Sequence, residues 1–236
     1  MQRFKIVGLA LMAVFALGAV VSATASALPT LLEKNKKPVS VIEKFTGESG
    51  KTNLVKLNGK EVECATSTSE GQFEKESVLG PFHITFSNCT AKEGIITAKC
   101  TGAGDKTAGV ILVLGEAHLV YDVLTPTLGA AVLFLIPQFH FTCEAFGVKK
   151  LILVKGEVLC LIKPINTLAK HFEIKCEQSK GDPLETKYWN EAGTEVNTLN
   201  GLLASESAST TEEKFEMSGE EGSGLILTEL EVEIMA

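Results

Sequence analysis

The chain has 236 residues, with 29 acidic against 22 basic side chains, a formal charge of −7, and 45% hydrophobic residues. That length can bury a full core. The acidic balance argues against nucleic acid and anionic membrane surfaces as partners, because both recruit basic chains.

Residues 1–27 read as a secretory signal peptide. Arg3 and Lys5 form a basic start, Ile6 through Val21 an apolar core, and Ala25-Ser26-Ala27 an A-x-A site. Cleavage is expected before Leu28. The apolar core is short for a spanning helix, and no cysteine near the site could carry a lipid anchor. Later apolar runs are interrupted by Gly, Glu, His or Pro, so no membrane span is expected after cleavage. Residues 28–236 are expected to form a single all-β secreted domain. It is more acidic than the whole chain, since the only charges removed are two basic ones.

Residues 28–38 read as an irregular lead-in with a basic cluster at Lys34, Lys36 and Lys37. Short strands are predicted at 39–45, 53–57 and 61–65, with Asn58-Gly59 as a hairpin turn between the last two. Gly47-Glu48-Ser49-Gly50-Lys51-Thr52 resembles the end of a phosphate-binding loop. That pattern needs a glycine where Phe45 stands and a helix where a strand pattern follows, so it reads as a polar turn. Strands follow at 72–78 and 82–87, separated by Gly80-Pro81. Another is predicted at 95–100, before a Gly-rich turn at 101–107.

The densest apolar sequence beyond the leader runs from Gly109 to Cys176. Ala117, Leu119, Tyr121 and Val123 alternate with Glu116, His118 and Asp122. Phe139, Phe141 and Cys143 alternate with Gln138, His140, Thr142 and Glu144. Ile152, Val154, Val158, Cys160 and Ile162 share a phase, as do Phe172, Ile174 and Cys176. Period two marks half-buried antiparallel strands. Turn formers at 125–129 and 163–167 divide the stretch into two hairpins. Ile111–Glu116 echoes Ile152–Glu157, and each is followed by a strand ending in Cys-Glu, as a duplicated hairpin would be. After Cys176 come a turn at 180–183, the Tyr188-Trp189 pair, and a short helix or loop at 200–207. A closing strand over 225–234 is expected to bury Val232 and Ile234.

Six cysteines in an exported chain should be oxidised. A hairpin turning at 163–171 sets Cys160 opposite Cys176 and Ile162 opposite Ile174. Cys89 and Cys100 flank ten residues and are expected to close them. Cys64 and Cys143 then pair by elimination.

Chemistry is harder to read. A first central hairpin centred on Gly129 sets His118 opposite His140, with Glu116 and Glu144 on the same face. Two imidazoles and a carboxylate make a candidate metal site; a polar strand face is the plainer reading. The chain has no G-x-S-x-G, H-E-x-x-H or C-x-x-C, and no cofactor signature. Tyr188-Trp189 is either an aromatic platform or a pair with one ring packed inward, and packing is the reading adopted. Asn88-Cys89-Thr90 matches a glycosylation sequon.

The opening FKIVGLALMAVFALGAVVSATASA, the stretch FSNC followed by AKCTGAG, the segment LVKGEVLCLIKPIN and the acidic tail ending in EVEI resemble a family of uncharacterised secreted proteins from soil actinobacteria. The resemblance covers nearly the whole chain. It implies export and a bacterial extracytoplasmic setting, where eukaryotic glycosylation does not arise. It implies no activity and no site residues.

The resulting expectation is an all-β fold, an antiparallel sandwich or partly closed barrel of many short strands held by three disulfides. The expected function is a non-enzymatic extracytoplasmic binding or structural module for a cell-wall or extracellular ligand. The alternative is a secreted hydrolase using carboxylates or a His118/His140 metal site. An outer-membrane barrel fits poorly with the acidic tail and the uneven strand lengths.

Overall fold

The computed structural model describes residues 28–39, 42–57, 60–74, 77–122, 129–179, 182–183, 187–189, 195–197, 202–207 and 215–236. The expected leader at 1–27, the expected Asn58-Gly59 turn and residues 123–128 of the first central turn lie outside them. The described residues form eighteen strands and no helix. In chain order they are β1 (Thr30–Glu33), β2 (Glu43–Ser49), β3 (Thr52–Leu57), β4 (Lys60–Cys64), β5 (Thr66–Phe73), β6 (Val78–Ser87), β7 (Thr90–Glu93), β8 (Ile96–Gly102) and β9 (Ile111–Asp122). There follow β10 (Gly129–Ala145), β11 (Val148–Lys163), β12 (Leu168–Ser179), β13 (Asp182–Pro183), β14 (Lys187–Trp189), β15 (Glu195–Asn197), β16 (Leu202–Ser207), β17 (Glu216–Ser218) and β18 (Glu221–Met235).

Eight of these strands pair in a ring. The order is β2, β5, β6, β9, β10, β11, β12, β18 and back to β2, and every neighbour is antiparallel. The ring is the partly closed barrel of the sequence reading, because its seams are uneven. β11 meets β12 only over Cys160–Lys163 and gives its first half to β16. β10 bulges between Ile136 and Phe139, where Pro137 has no N–H for the ladder. Past the bulge it leaves β9 and takes β8.

Period two decides what the ring encloses. Phe45, Phe73, Phe82, Phe86, Phe141 and Phe172 point inward and are buried. Phe82 meets Phe134 edge-on across the interior at 5.0 Å. Each such ring contributes roughly 1.5–3 kcal/mol by leaving water. Gly71 makes room for them: a Cβ there would sit 2.3 Å from the Phe45 ring. The outward positions Lys44, Thr46, Glu70, His83 and Lys175 are exposed or, for His83, paired with Glu70 at 3.4 Å. The outward face is mixed, since Leu112 and Leu114 on β9 and Leu225 and Leu227 on β18 are exposed as well. No helix of the described residues is long and apolar enough to cross a membrane. A second apolar cluster lies outside the ring wall, where Tyr188 packs with Val120, Ala131, Leu133 and Leu159.

Four further strands, β3, β4, β7 and β8, form an arm from the start of β18 to the end of β10. Here two disulfide expectations are corrected. The bridges are Cys64–Cys89, Cys100–Cys143 and Cys160–Cys176. Only the last was read correctly, along with its Ile162–Ile174 neighbour. The sequence between Cys89 and Cys100 is itself a hairpin, β7 and β8. Its register sets Cys64, Cys89, Cys100 and Cys143 in one row across four strands. Cys100 N–H donates to the Cys89 carbonyl at 3.0 Å, so the middle pair is hydrogen-bonded and wide. The two outer pairs are narrow, with Cα separations of 4.0 and 3.9 Å, and those are the ones bridged.

Other expectations shift as well. The lead-in contains β1, which pairs with β18 from Thr30 opposite Met235. Residues 202–207 form strand β16, not a helix or loop, because the unpaired edge of β11 is available to them. The two central hairpins are a continuous meander, since β10 and β11 pair through Ala131–Ala145. Val232 and Ile234 are buried on the closing strand as expected.

Candidate functional site

The His118/His140 constellation does not assemble. The β9–β10 register sets His118 opposite Leu133, and His140 faces Leu153 on β11. The observed register pairs Asp122 with Gly129 where a centre at Gly129 would pair it with Ile136, a displacement of seven residues, and the β10 bulge adds to it. Glu116 faces Leu135, and Glu144 is paired with Lys149 at 3.4 Å. Among the described residues no three His, Cys, Asp or Glu side chains cluster for a metal. All six cysteines are in disulfides, which indicates an oxidising environment. Tyr188 is buried, and desolvation followed by the charge of Glu157 raises its hydroxyl.

The ring interior offers a different site. A cavity of about 90 Å³ opens among the inward side chains of β2, β5, β6, β9, β10, β11, β12 and β18. Eight strands give an interior just wide enough to fill with side chains or hold one small ligand. Here the filling is incomplete. A single water needs roughly 10–15 Å³ of such space, so the cavity exceeds one solvent molecule several-fold.

The two ends of the cavity differ. Phe82, Phe86, Phe134, Phe139, Ile84 and Val113 line its body. This is the inward phase of β6, β9 and β10. At the other end the inward phase of β2 and β5 turns from aromatic to hydroxyl. Ser49 Oγ lies 2.8 Å from Ser67 Oγ and 3.2 Å from Thr52 Oγ1, and Ser69 completes the group. Thr52 and Ser67 are buried. Gly222 lets β18 close over them: a Cβ there would stand 2.9 Å from Thr52.

Glu220 reaches the same end from the turn between β17 and β18. Burial on the cavity side pushes its carboxyl up to about 7, although the residue keeps some outer exposure. Glu48 also borders the cavity but stands on the exposed outward phase of β2, and no Lys, Arg or His is among the described lining residues. Chemically this is an apolar slot with a hydrogen-bonding, acidic end.

Sequence reading missed this site. Phase analysis identifies Phe82 and Phe86 as inward, but not that eight strands close around them. The available signal was the serine-threonine run of β5, Thr66 through Ser69. Its inward phase is polar in a strand that later buries Phe73. No family model, curated protein or solved structure matches the chain.

Proposed function

We propose that the protein is an exported, non-enzymatic binding module that takes one small, mainly apolar ligand into the ring interior. The observation that carries this is the incompletely filled cavity, apolar along its body and hydroxyl-lined at one end. Small-molecule sites combine an apolar wall with a few placed polar groups in this way. Export is supported by the leader pattern and by three disulfides, which persist outside the reducing cytosol. The resemblance to secreted actinobacterial proteins agrees with an extracytoplasmic setting. The hydrolase alternative loses its histidine form, since His118 and His140 stand apart.

The test is ligand-observed NMR with 1-hexanol, on the disulfide-intact protein and on Val113→Phe, which fills the cavity from β9. Saturation transfer to hexanol is expected with the natural chain and should vanish in the variant. The variant's near-UV circular dichroism and melting curve verify its fold. Equal transfer in both proteins would move binding off the ring interior and overturn the proposal.

A further inference from the structure

We infer that the natural ligand carries an amine at its polar end, so that an ammonium group sits at the hydroxyl end of the cavity against Glu220. This rests on the interior-binding reading and adds the chemistry of the head group.

The argument begins with charge. Any ligand long enough to reach from the phenylalanine body to the far end places its head among Ser49, Thr52, Ser67, Ser69 and Glu220. Among the described lining residues Glu220 is the one charged side chain not on an exposed outward strand position, since Glu48 stands on the outward phase of β2 with Lys44 and Thr46. The chain has one arginine, Arg3, so no guanidinium beyond the leader could clamp an anionic head. Nearby lysines are engaged elsewhere. Lys51, beside Thr52, bonds Glu63 at 2.6 Å, and Lys155 lies 4.0 Å over the Phe215 ring. A ligand carboxylate or phosphate would therefore meet like charge with no counter-ion.

Hydrogen-bond accounting leads the same way. An ammonium group has three donors and no acceptor. Hydroxyl oxygens and a carboxylate are acceptors. The Ser67–Ser49–Thr52 chain can turn its hydroxyl protons along itself and leave lone pairs facing the cavity. An alcohol or amide head would satisfy some of these groups but would leave Glu220 without a cation. Burial raises the Glu220 carboxyl, and among the described lining residues no cation stands beside it.

The experiment is a charge series on one scaffold, 1-hexylamine, 1-hexanol and hexanoate, titrated calorimetrically into the disulfide-intact protein at pH 8. The amine is expected to bind about tenfold tighter than the alcohol, as a charge-assisted contact would give. Hexanoate is expected to be weakest. Glu220→Gln should bring the amine-to-alcohol ratio down to about one. An amine no tighter than the alcohol, or hexanoate as the best ligand, overturns the amine assignment and leaves the interior-binding reading intact. Failure of all three to bind overturns that reading and the assignment with it.

Discussion

The ring and the arm are built from the same kind of strand but are held by different means. Ring strands bury one face against an enclosed set of phenylalanines. The arm has far less to bury: Leu54 and Val62 are inside, while Ile95 and Ile96 at its tip stand in solvent. One of the three disulfides lies within the arm, a second ties the arm to β10, and the third lies within the ring. Where strands cannot enclose a core, cross-links restrict the unfolded chain instead. The row of four cysteines is that substitution made visible.

The contrast is tested most severely at Phe172, which is 1% exposed on β12. Phe172→Ala should cost about 3–5 kcal/mol by leaving a cavity in the ring. Urea denaturation of the oxidised protein would measure it. A loss below 1 kcal/mol would mean that the cross-links, not packing, hold the ring too.

Cys100→Ala with Cys143→Ala is the matching test on the arm. The bridge spans 43 residues, against 16 for Cys160–Cys176. Loop-closure entropy makes its removal cost about 4 kcal/mol, roughly 1 kcal/mol more than removal of the ring bridge. Hydrogen exchange should show β7 and β8 losing protection before the ring does. Peptide mapping of the natural protein should recover Cys64–Cys89 and Cys100–Cys143. A Cys89–Cys100 peptide would break the narrow-pair explanation.

This division also explains what could be read in the sequence. The β11–β12 hairpin was legible to the residue, because its turn and both apolar phases fix one register. Parts of the inward faces were legible too: Ala117 and Leu119 on β9, Phe141 and Cys143 on β10, and Val232 and Ile234 on β18. The arm was not: Thr90–Glu93 is short, polar and uninformative without its partners. The cysteine row depends on whether a facing pair is wide or narrow, which sequence separation does not encode. The His118–His140 expectation failed on a turn centre displaced from Gly129, and the cavity escaped notice because ring closure is a property of eight strands together. Local periodicity reports which face of a strand is buried. It does not report against what.

Two glutamates carry the comparison into electrostatics. Glu220 at the mouth of the ring is raised from 4.5 to about 7 by burial. A raised acid holds its proton longer in the folded chain than in the unfolded one. Its effect is absent below about 4.5, and stability then falls as pH rises toward 7. For a residue with some outer exposure the loss should be about 1–2 kcal/mol. Chemical denaturation at pH 4.5, 6 and 8 would trace it, and Glu220→Gln should flatten that part of the profile. An unchanged slope in the variant would place the effect on another group.

Glu63 on the arm behaves in the opposite sense. Its carboxyl is lowered, chiefly by the hydrogen bond from Lys51; burial opposes this, and the smaller charge effects of Lys51 and Lys92 add to the lowering. A lowered acid contributes stability that is full above its unfolded value of 4.5 and is lost as pH falls through the folded one. The pair is near the surface and screened, so Glu63→Gln should cost no more than about 0.5 kcal/mol at pH 7. That loss should shrink in 1 M salt, where the Debye length is about 3 Å. The Glu220 effect should persist in the same salt, because desolvation is not a screened interaction. If salt erased both effects alike, the acid at the ring mouth would be solvated like its counterpart on the arm, and the electrostatic difference between the two regions would disappear.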